Sequence, residues 1–150
     1  MAESYVVAVE GLVPQAETAS APFHMLVGHA LELLLKAVLA QGGRDEEWLM
    51  MTGHNLAYCY REALSIGPSG LADEKLALLV DTLDGQHRDQ RFRYPMVLGG
   101  AAYLIAGDAA ETLRRLLEDV STWLSARLPR SALADHRDRR HEAVVGRRHR

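Results

Sequence analysis

The apolar stretch PFHMLVGHALELLLKAVLA contains four side chains suited to acid–base chemistry or ligand binding: His24, His29, Glu32 and Lys36. On a helix, Met25, His29, Glu32 and Lys36 share one stripe, and the last two have the favourable order for an ion pair one turn apart. Because the flanking residues are apolar, we expect Glu32 and Lys36 to be at least partly buried and one of them to contact the RFRYP segment or a second chain. Otherwise they form an exposed ion pair worth about 0.3 kcal/mol.

His54 lies at the predicted start of a helix, within the sequence Thr52-Gly53-His54-Asn55. Free backbone N–H groups and the positive end of the helix dipole attract anions at such a position, so this turn is a candidate phosphate site. In the alternative, Thr52 and Asn55 cap the helix while His54 packs against a neighbouring element.

A basic and aromatic segment, HRDQRFRYP, follows the predicted fourth helix and supplies four candidate binding residues: Arg88, Arg91, Arg93 and Tyr94. Cations interleaved with aromatic rings bind single-stranded RNA through phosphate contacts and base stacking. Two neighbouring guanidinium groups can also bind one anion between them, an arrangement that we call an anion clamp. We expect Glu32 to pair with these arginines when no ligand is bound. In the alternative, the aromatic residues anchor the segment and the arginines pair with Asp84, Asp89 or Glu32.

Metal and cofactor chemistry has little support in the sequence. His136 and His141 lack the spacing and the helix of an HExxH zinc site, and the other histidines are scattered along the chain. Phosphate-loop, dinucleotide-binding and nucleophile-elbow motifs do not occur, and the lone Cys59 cannot form a disulfide within the chain. We therefore expect neither a metal nor a cofactor.

The composition, with 48% hydrophobic and 25% charged residues in a chain of 150, suits a single folded domain. Residues 1–128 hold 10 basic and 17 acidic side chains, whereas residues 129–150 hold 7 and 3. We therefore predict a helical domain over 1–128 and a basic, flexible tail over 129–150. The lone cysteine and the lack of a signal-peptide pattern predict a cytoplasmic protein, and the charges in the apolar stretch argue against a membrane segment.

Apolar spacing and capping residues predict an all-α fold, a bundle of four to five helices. The first predicted helix covers 4–18 and is kinked, and the second runs from near Ser20 to Gly42. The third is capped by Thr52, and the fourth, capped by Ser69, runs from Leu71 to about Asp84. The last helix runs from Asp108 to Pro129. The two short apolar runs within residues 96–106 predict a small hairpin or a buried loop.

Three stretches in this order resemble the HEPN superfamily of small helical-bundle proteins: FHMLVGHALELLLKAVL, GHNLAYCYREA and RFRYP. The resemblance implies a helical bundle, homodimerisation, and a role in RNA or nucleotide metabolism, often in bacterial defence or toxin–antitoxin pairs. Catalytic HEPN proteins are metal-independent ribonucleases with an Arg followed a few residues later by a His. Here the pair with such a spacing is Arg130 and His136, which follow Pro129 in the tail rather than lying within the bundle.

Three hypotheses follow from these observations. The first is a dimeric, HEPN-like binding protein that engages RNA or a nucleotide-bearing partner, without a recognisable catalytic pair in its core. The second is a metal-independent ribonuclease, in which His136 is the general base and Arg130 stabilises the charged phosphorane. The third is a protein-interaction or antitoxin-like subunit with a protein partner.

Overall fold

The computed structural model of the protein describes residues 1–93 and 104–127. These residues form six α-helices: α1 (Ala2–Leu12), α2 (Ser20–Gln41), α3 (Glu46–Met51), α4 (Leu56–Leu64), α5 (Glu74–Arg88) and α6 (Ala106–Ser125). No strand occurs within the two described ranges. The predicted all-α fold is confirmed, with six helices in place of the four to five expected.

Helix α2 is the centre of the bundle and packs against α1, α4, α5 and α6. Being surrounded by other helices explains why its sequence is apolar almost all the way round. By length and composition α2 would suffice to cross a membrane, yet 61% of its most apolar window is buried inside the protein. The predicted limits of this helix, from Ser20 to the Gly42-Gly43 pair, are confirmed, and Gly43 takes a left-handed conformation with a φ of 94°.

The first predicted helix, expected over 4–18 with a kink at its proline, is present but ends earlier. Helix α1 ends at Leu12, and Pro14 lies in a 3₁₀ turn, Val13–Gln15, that follows directly. Proline is tolerated there because its missing N–H falls in the first turn, where no intrahelical bond is made. Val6 and Val9 are buried, so α1 covers one side of α2.

The region between the second and third predicted helices contains an additional helix. Residues 46–51 form α3, and the Asp45 side chain caps it by accepting a hydrogen bond of 2.8 Å from the backbone N–H of Trp48. Helix α4 begins at Leu56 rather than near Thr52, and the left-handed Gly53, with a φ of 54°, separates it from α3. Asn55 is its cap.

The fourth predicted helix is shifted along the chain. Residues Ser69–Ala72 form a 3₁₀ turn, and α5 begins after Asp73, whose side chain accepts a hydrogen bond of 3.0 Å from the Leu76 N–H. Helix α5 also continues past Gly85 to Arg88, because Leu83 and His87 are buried on its inner face and outweigh the cost of about 1 kcal/mol for a helical glycine.

The last helix begins at Ala106, two positions before the predicted start at Asp108, and its inner face includes Leu113, Leu116 and Val120. The prediction of a hairpin or loop over 96–106 falls mostly outside the described residues; Leu104 and Ile105 have no regular structure. The predicted tail over 129–150, with Arg130 and His136, also lies outside the described residues.

Candidate functional site

The site is built around the carboxylate of Glu32, which is buried within the bundle at 8% exposure. Lys36 Nζ donates a hydrogen bond of 2.7 Å to Oε1 of Glu32. His54 Nδ1 and His87 Nε2 lie 2.9 Å and 2.8 Å from the other oxygen, Oε2. An ionised carboxylate only accepts hydrogen bonds, so each ring nitrogen is the donor. We call Glu32, Lys36, His54 and His87 the polar centre.

Three separate elements bring the polar centre together. Glu32 and Lys36 lie one turn apart on α2, His54 lies between α3 and α4, and His87 lies in the last turn of α5. Lys36 Nζ also donates a hydrogen bond of 2.8 Å to the carbonyl oxygen of Gly53, which fixes the turn that carries His54. The polar centre therefore ties α2 to the start of α4 and to the end of α5.

Gly28 of α2 provides the space for one of these side chains. A Cβ atom at this position would overlap the ring of His87 at Nδ1. The His87 ring, whose residue is only 4% exposed, therefore packs directly against the backbone of α2. Its position depends on the absence of a side chain one turn before Glu32.

The electrostatics of the polar centre favour an ionised Glu32. Burial by itself raises the pKa of this carboxyl, but the hydrogen bonds from His87, His54 and Lys36 lower it by more. The positive charge of Lys36 lowers it further, so the pKa of Glu32 lies well below its ordinary value of 4.5. Glu32 is therefore a fixed negative charge throughout the physiological range.

A third histidine lies beside the polar centre. The ring of His29, one turn before Glu32 on α2, has its centroid 5.3 Å from that of His87 and 6.3 Å from that of His54. A cavity of about 10 Å³ is lined by six residues: Met25, His29, His54, His87, Gln90 and Phe92. This volume is about that of one water-sized sphere, so the cavity suits a single atom or small ion rather than a nucleobase.

The expectation that Glu32 and Lys36 are at least partly buried is confirmed. Glu32 is bonded to Lys36 and two histidines, and Arg91, which was expected to reach it, pairs elsewhere. The expected contact with the side chains of Arg93 and Tyr94 or with a second chain falls outside the described residues. Arg91 lies 3.4 Å from a carboxylate oxygen of Asp89, and Arg88 lies 3.5 Å from one of Asp84. The structure thus contains the alternative arrangement, surface ion pairs of the arginines with nearby aspartates.

The remaining predicted binding residues lie at or beyond the limit of the described structure. Arg93 is the last residue of the 3₁₀ turn Arg91–Arg93, and the structure describes only the backbone of this residue. Tyr94 lies outside the described residues. Arg88 and Arg91 are exposed, with 52% and 56% of their side-chain surfaces accessible.

The predicted phosphate site at the start of α4 already has protein acceptors. The Asn55 side chain accepts a hydrogen bond of 2.9 Å from the Tyr58 N–H, and the Asp84 carboxylate accepts one of 2.9 Å from the Ala57 N–H. A carboxylate in this position repels phosphate. The structure contains the alternative, a capped helix with His54 turned towards a neighbouring element. Of the two expected caps, Asn55 accepts the capping bond, whereas the Thr52 hydroxyl donates to the Leu49 carbonyl.

Sequence reasoning did not find the convergence of the histidines. Although scattered along the chain, His29, His54 and His87 meet beside one carboxylate, and 55 positions separate Glu32 from His87. One ligand atom each from His29, Glu32 and His87 lie within 4.8 Å of one another. Two features of the sequence could have indicated this cluster: His29 lies on the same helix face as Glu32, and the neighbouring Gly28 has no side chain. The expectation that no metal binds was based on the scatter of the histidines, and the structure removes that basis.

Comparison of the chain with protein-family models, with curated proteins and with solved structures finds no match. The all-α class is given by the structure itself, whereas membership of the HEPN superfamily stays a prediction from the resemblance.

Proposed function

We propose that this protein is a HEPN-like binding module that engages RNA or a nucleotide-bearing partner at the surface beside the polar centre. What supports the proposal is that the three stretches of the resemblance meet at one place. The first supplies Glu32, the second supplies His54, and Phe92 of the third stacks on the His24 ring with centroids 5.6 Å apart. In this proposal the polar centre is the scaffold on which a ligand-binding surface is built.

The ligand contacts the outside of this scaffold. The cavity at the histidines holds about 10 Å³, which excludes a base or a ribose. Arg88 and Arg91 are adjacent in sequence to residues that line it, His87, Gln90 and Phe92. Their ion pairs with aspartates are surface pairs worth about 0–1 kcal/mol, so a phosphate group can compete for the guanidinium groups at little cost.

The proposal includes a homodimer, cytoplasmic location and a role in bacterial defence or a toxin–antitoxin pair, all of which come from the resemblance or the composition.

Because residues 1–128 have a net negative charge, much of the bundle would repel an RNA strand. Affinity would therefore depend on local arginines and on the basic tail, and it would fall steeply with salt.

One observation favours a metal-independent ribonuclease as the second candidate. The Glu32 carboxylate accepts the hydrogen bond of His54 Nδ1, which leaves Nε2 of the same ring as the basic nitrogen. A carboxylate that orients an imidazole in this way is the arrangement of a general base, and the side chain of His54 is 32% exposed. In this alternative His54, rather than His136, removes the proton of the 2′-hydroxyl.

Replacing Arg91 by Ala is expected to weaken binding of a labelled single-stranded RNA about 5-fold at low salt, since one phosphate contact is lost. Fluorescence anisotropy in buffer with EDTA measures the affinity, and thermal unfolding should change by no more than a degree or two. Arg114→Ala is the matched control, because Arg114 is 58% exposed and pairs with Glu10 at 2.7 Å.

Unchanged affinity in the Arg91 variant, or an equal loss in the Arg114 variant, would contradict the proposed surface. Gel electrophoresis of the same samples shows whether the RNA is intact or cleaved and so distinguishes the two candidate functions. Intact RNA supports the binding module, whereas cleavage that disappears in His54→Ala supports the ribonuclease.

A further inference from the structure

We propose that His29, Glu32 and His87 form a binding site for one divalent transition-metal ion such as Zn²⁺. The proposed function requires no metal, so this site goes beyond it. Two independent features of the structure point to the same place: a set of ligand atoms within 4.8 Å of one another, and an atom-sized cavity of about 10 Å³ lined by both histidines.

The donor set suits this class of ion. Two imidazole nitrogens and one carboxylate oxygen are the protein ligands of many catalytic zinc sites and of non-haem iron sites, where the remaining positions are left to water or substrate. Hard ions such as Mg²⁺ and Ca²⁺ prefer oxygen ligands alone. The mixture of nitrogen and oxygen donors therefore selects a borderline metal.

The spacing of the ligand atoms is close to what coordination needs. With metal–ligand distances of about 2.0–2.1 Å, tetrahedral geometry places ligand atoms about 3.3 Å apart. His87 Nε2 and Glu32 Oε2 are 2.8 Å apart. One ligand atom each from His29, Glu32 and His87 lie within 4.8 Å of one another. Metal binding therefore requires side-chain rotations that increase the separation of His87 Nε2 and Glu32 Oε2 from 2.8 Å to about 3.3 Å.

The surroundings of Glu32 hold it in place for this role. Lys36 binds Oε1, so Oε2 is the oxygen that faces His54 and His87. Such outer hydrogen bonds orient a ligating carboxylate. The positive charge of Lys36 opposes a cation, whereas Glu32 is held ionised and attracts one. Coordination by His87 requires that Nε2 carry a lone pair. The hydrogen that Nε2 donates to Glu32 must therefore move to Nδ1 in a change of tautomer or, from a protonated ring, to solvent.

The fourth position of a tetrahedral ion would face the cavity. His54 lines that cavity and is bonded to the same carboxylate oxygen. A water or hydroxide on the metal would therefore have a hydrogen-bonding imidazole beside it, and Met25 and Phe92 would limit its exposure to bulk solvent.

The test is isothermal titration of the full-length protein, purified with a chelator and then freed of it, with Zn²⁺ alone. We expect one ion per chain, an upward shift of the thermal unfolding midpoint, and binding at least about 10-fold weaker in His29→Ala and in His87→Ala. Titration with Co²⁺ should give the visible absorption of a cobalt site, which is lost in the same variants.

Two controls keep the result specific to this site. Glu62→Ala removes a surface carboxylate that accepts a hydrogen bond of 2.9 Å from Arg44, and it should leave the affinity unchanged. A full-length variant with Ala at both His136 and His141 removes candidate ligands of the tail and should also bind normally. If His87→Ala does not fold, the half-buried His29 gives the decisive variant.

The proposal is overturned if the wild-type protein binds neither ion, if His29→Ala retains full affinity, or if only the tail variant loses binding. RNA affinity measured in EDTA is independent of these results, so the metal site and the proposed function can fail separately.

Discussion

Replacing Glu32 by Ala is expected to lower the free energy of unfolding by about 3 to 5 kcal/mol, the range found when one partner of a buried ion pair is removed. The substitution leaves Lys36, His54 and His87 without their common acceptor. Lys36 then keeps a partly buried charge, and its remaining partner within the described residues is the Gly53 carbonyl. Urea unfolding at neutral pH, followed by circular dichroism, measures the loss.

The matched control is Glu62→Ala. Glu62 accepts a hydrogen bond of 2.9 Å from Arg44, but this pair lies at the surface, where ion pairs contribute about 0–1 kcal/mol. We therefore expect Glu32→Ala to lower the free energy of unfolding by clearly more than Glu62→Ala, although both glutamates are ion-paired in the structure. Equal losses for the two variants would mean that the carboxylate of Glu32 contributes no more than a surface charge.

Replacing Gly28 by Ala is expected to destabilise the protein by about 1 to 3 kcal/mol, the usual cost of inserting a methyl group into a filled space. The added Cβ would displace the His87 ring, and the hydrogen bond from His87 to Glu32 would be lost with it. Chemical denaturation measures the change, and the ring signals of His87 in an NMR spectrum should shift.

Gly85→Ala in α5 is the control for this second substitution. Nothing lies within 4 Å of a Cβ built at Gly85, and alanine is a better helix former than glycine by about 1 kcal/mol. The two glycine variants should therefore change stability in opposite directions. A stable Gly28→Ala protein with an undisturbed His87 would show that this glycine does not set the position of the ring.

The sequence predicted helices where local signals were strong. The glycine pair after Gln41 and the apolar periodicity located the two ends of α2, and Pro14 indicated where α1 is followed by a 3₁₀ turn. Helix starts were missed where two capping residues compete. Ser69 and Asp73 both suit a cap, and the choice of Asp73 depends on how the preceding turn packs, with Leu71 fully buried.

In the candidate site, the contact within one helix could be predicted from the sequence, whereas the contact between residues far apart in the chain could not. The ion pair of Glu32 and Lys36 follows from helix spacing alone, and the apolar flanks indicate its burial. The bond from His87 to Glu32 spans 55 positions and depends on the packing of α5 against α2. A single sequence carries no direct signal for such a contact, so arginines rather than His54 and His87 were expected as the partners of Glu32.

The central claim, that one buried carboxylate holds Lys36, His54 and His87 together, is tested most directly by following the side-chain carboxyl carbon of Glu32 by NMR as the pH falls. The pKa of Glu32 is lower in the folded protein than its ordinary value of 4.5, so its contribution to stability is complete above that pH and is lost on further acidification. The account predicts a carboxyl signal that stays that of the ionised form below pH 4.5 for as long as the protein is folded. A signal that titrates with a midpoint near 4.5 in the folded protein would contradict it.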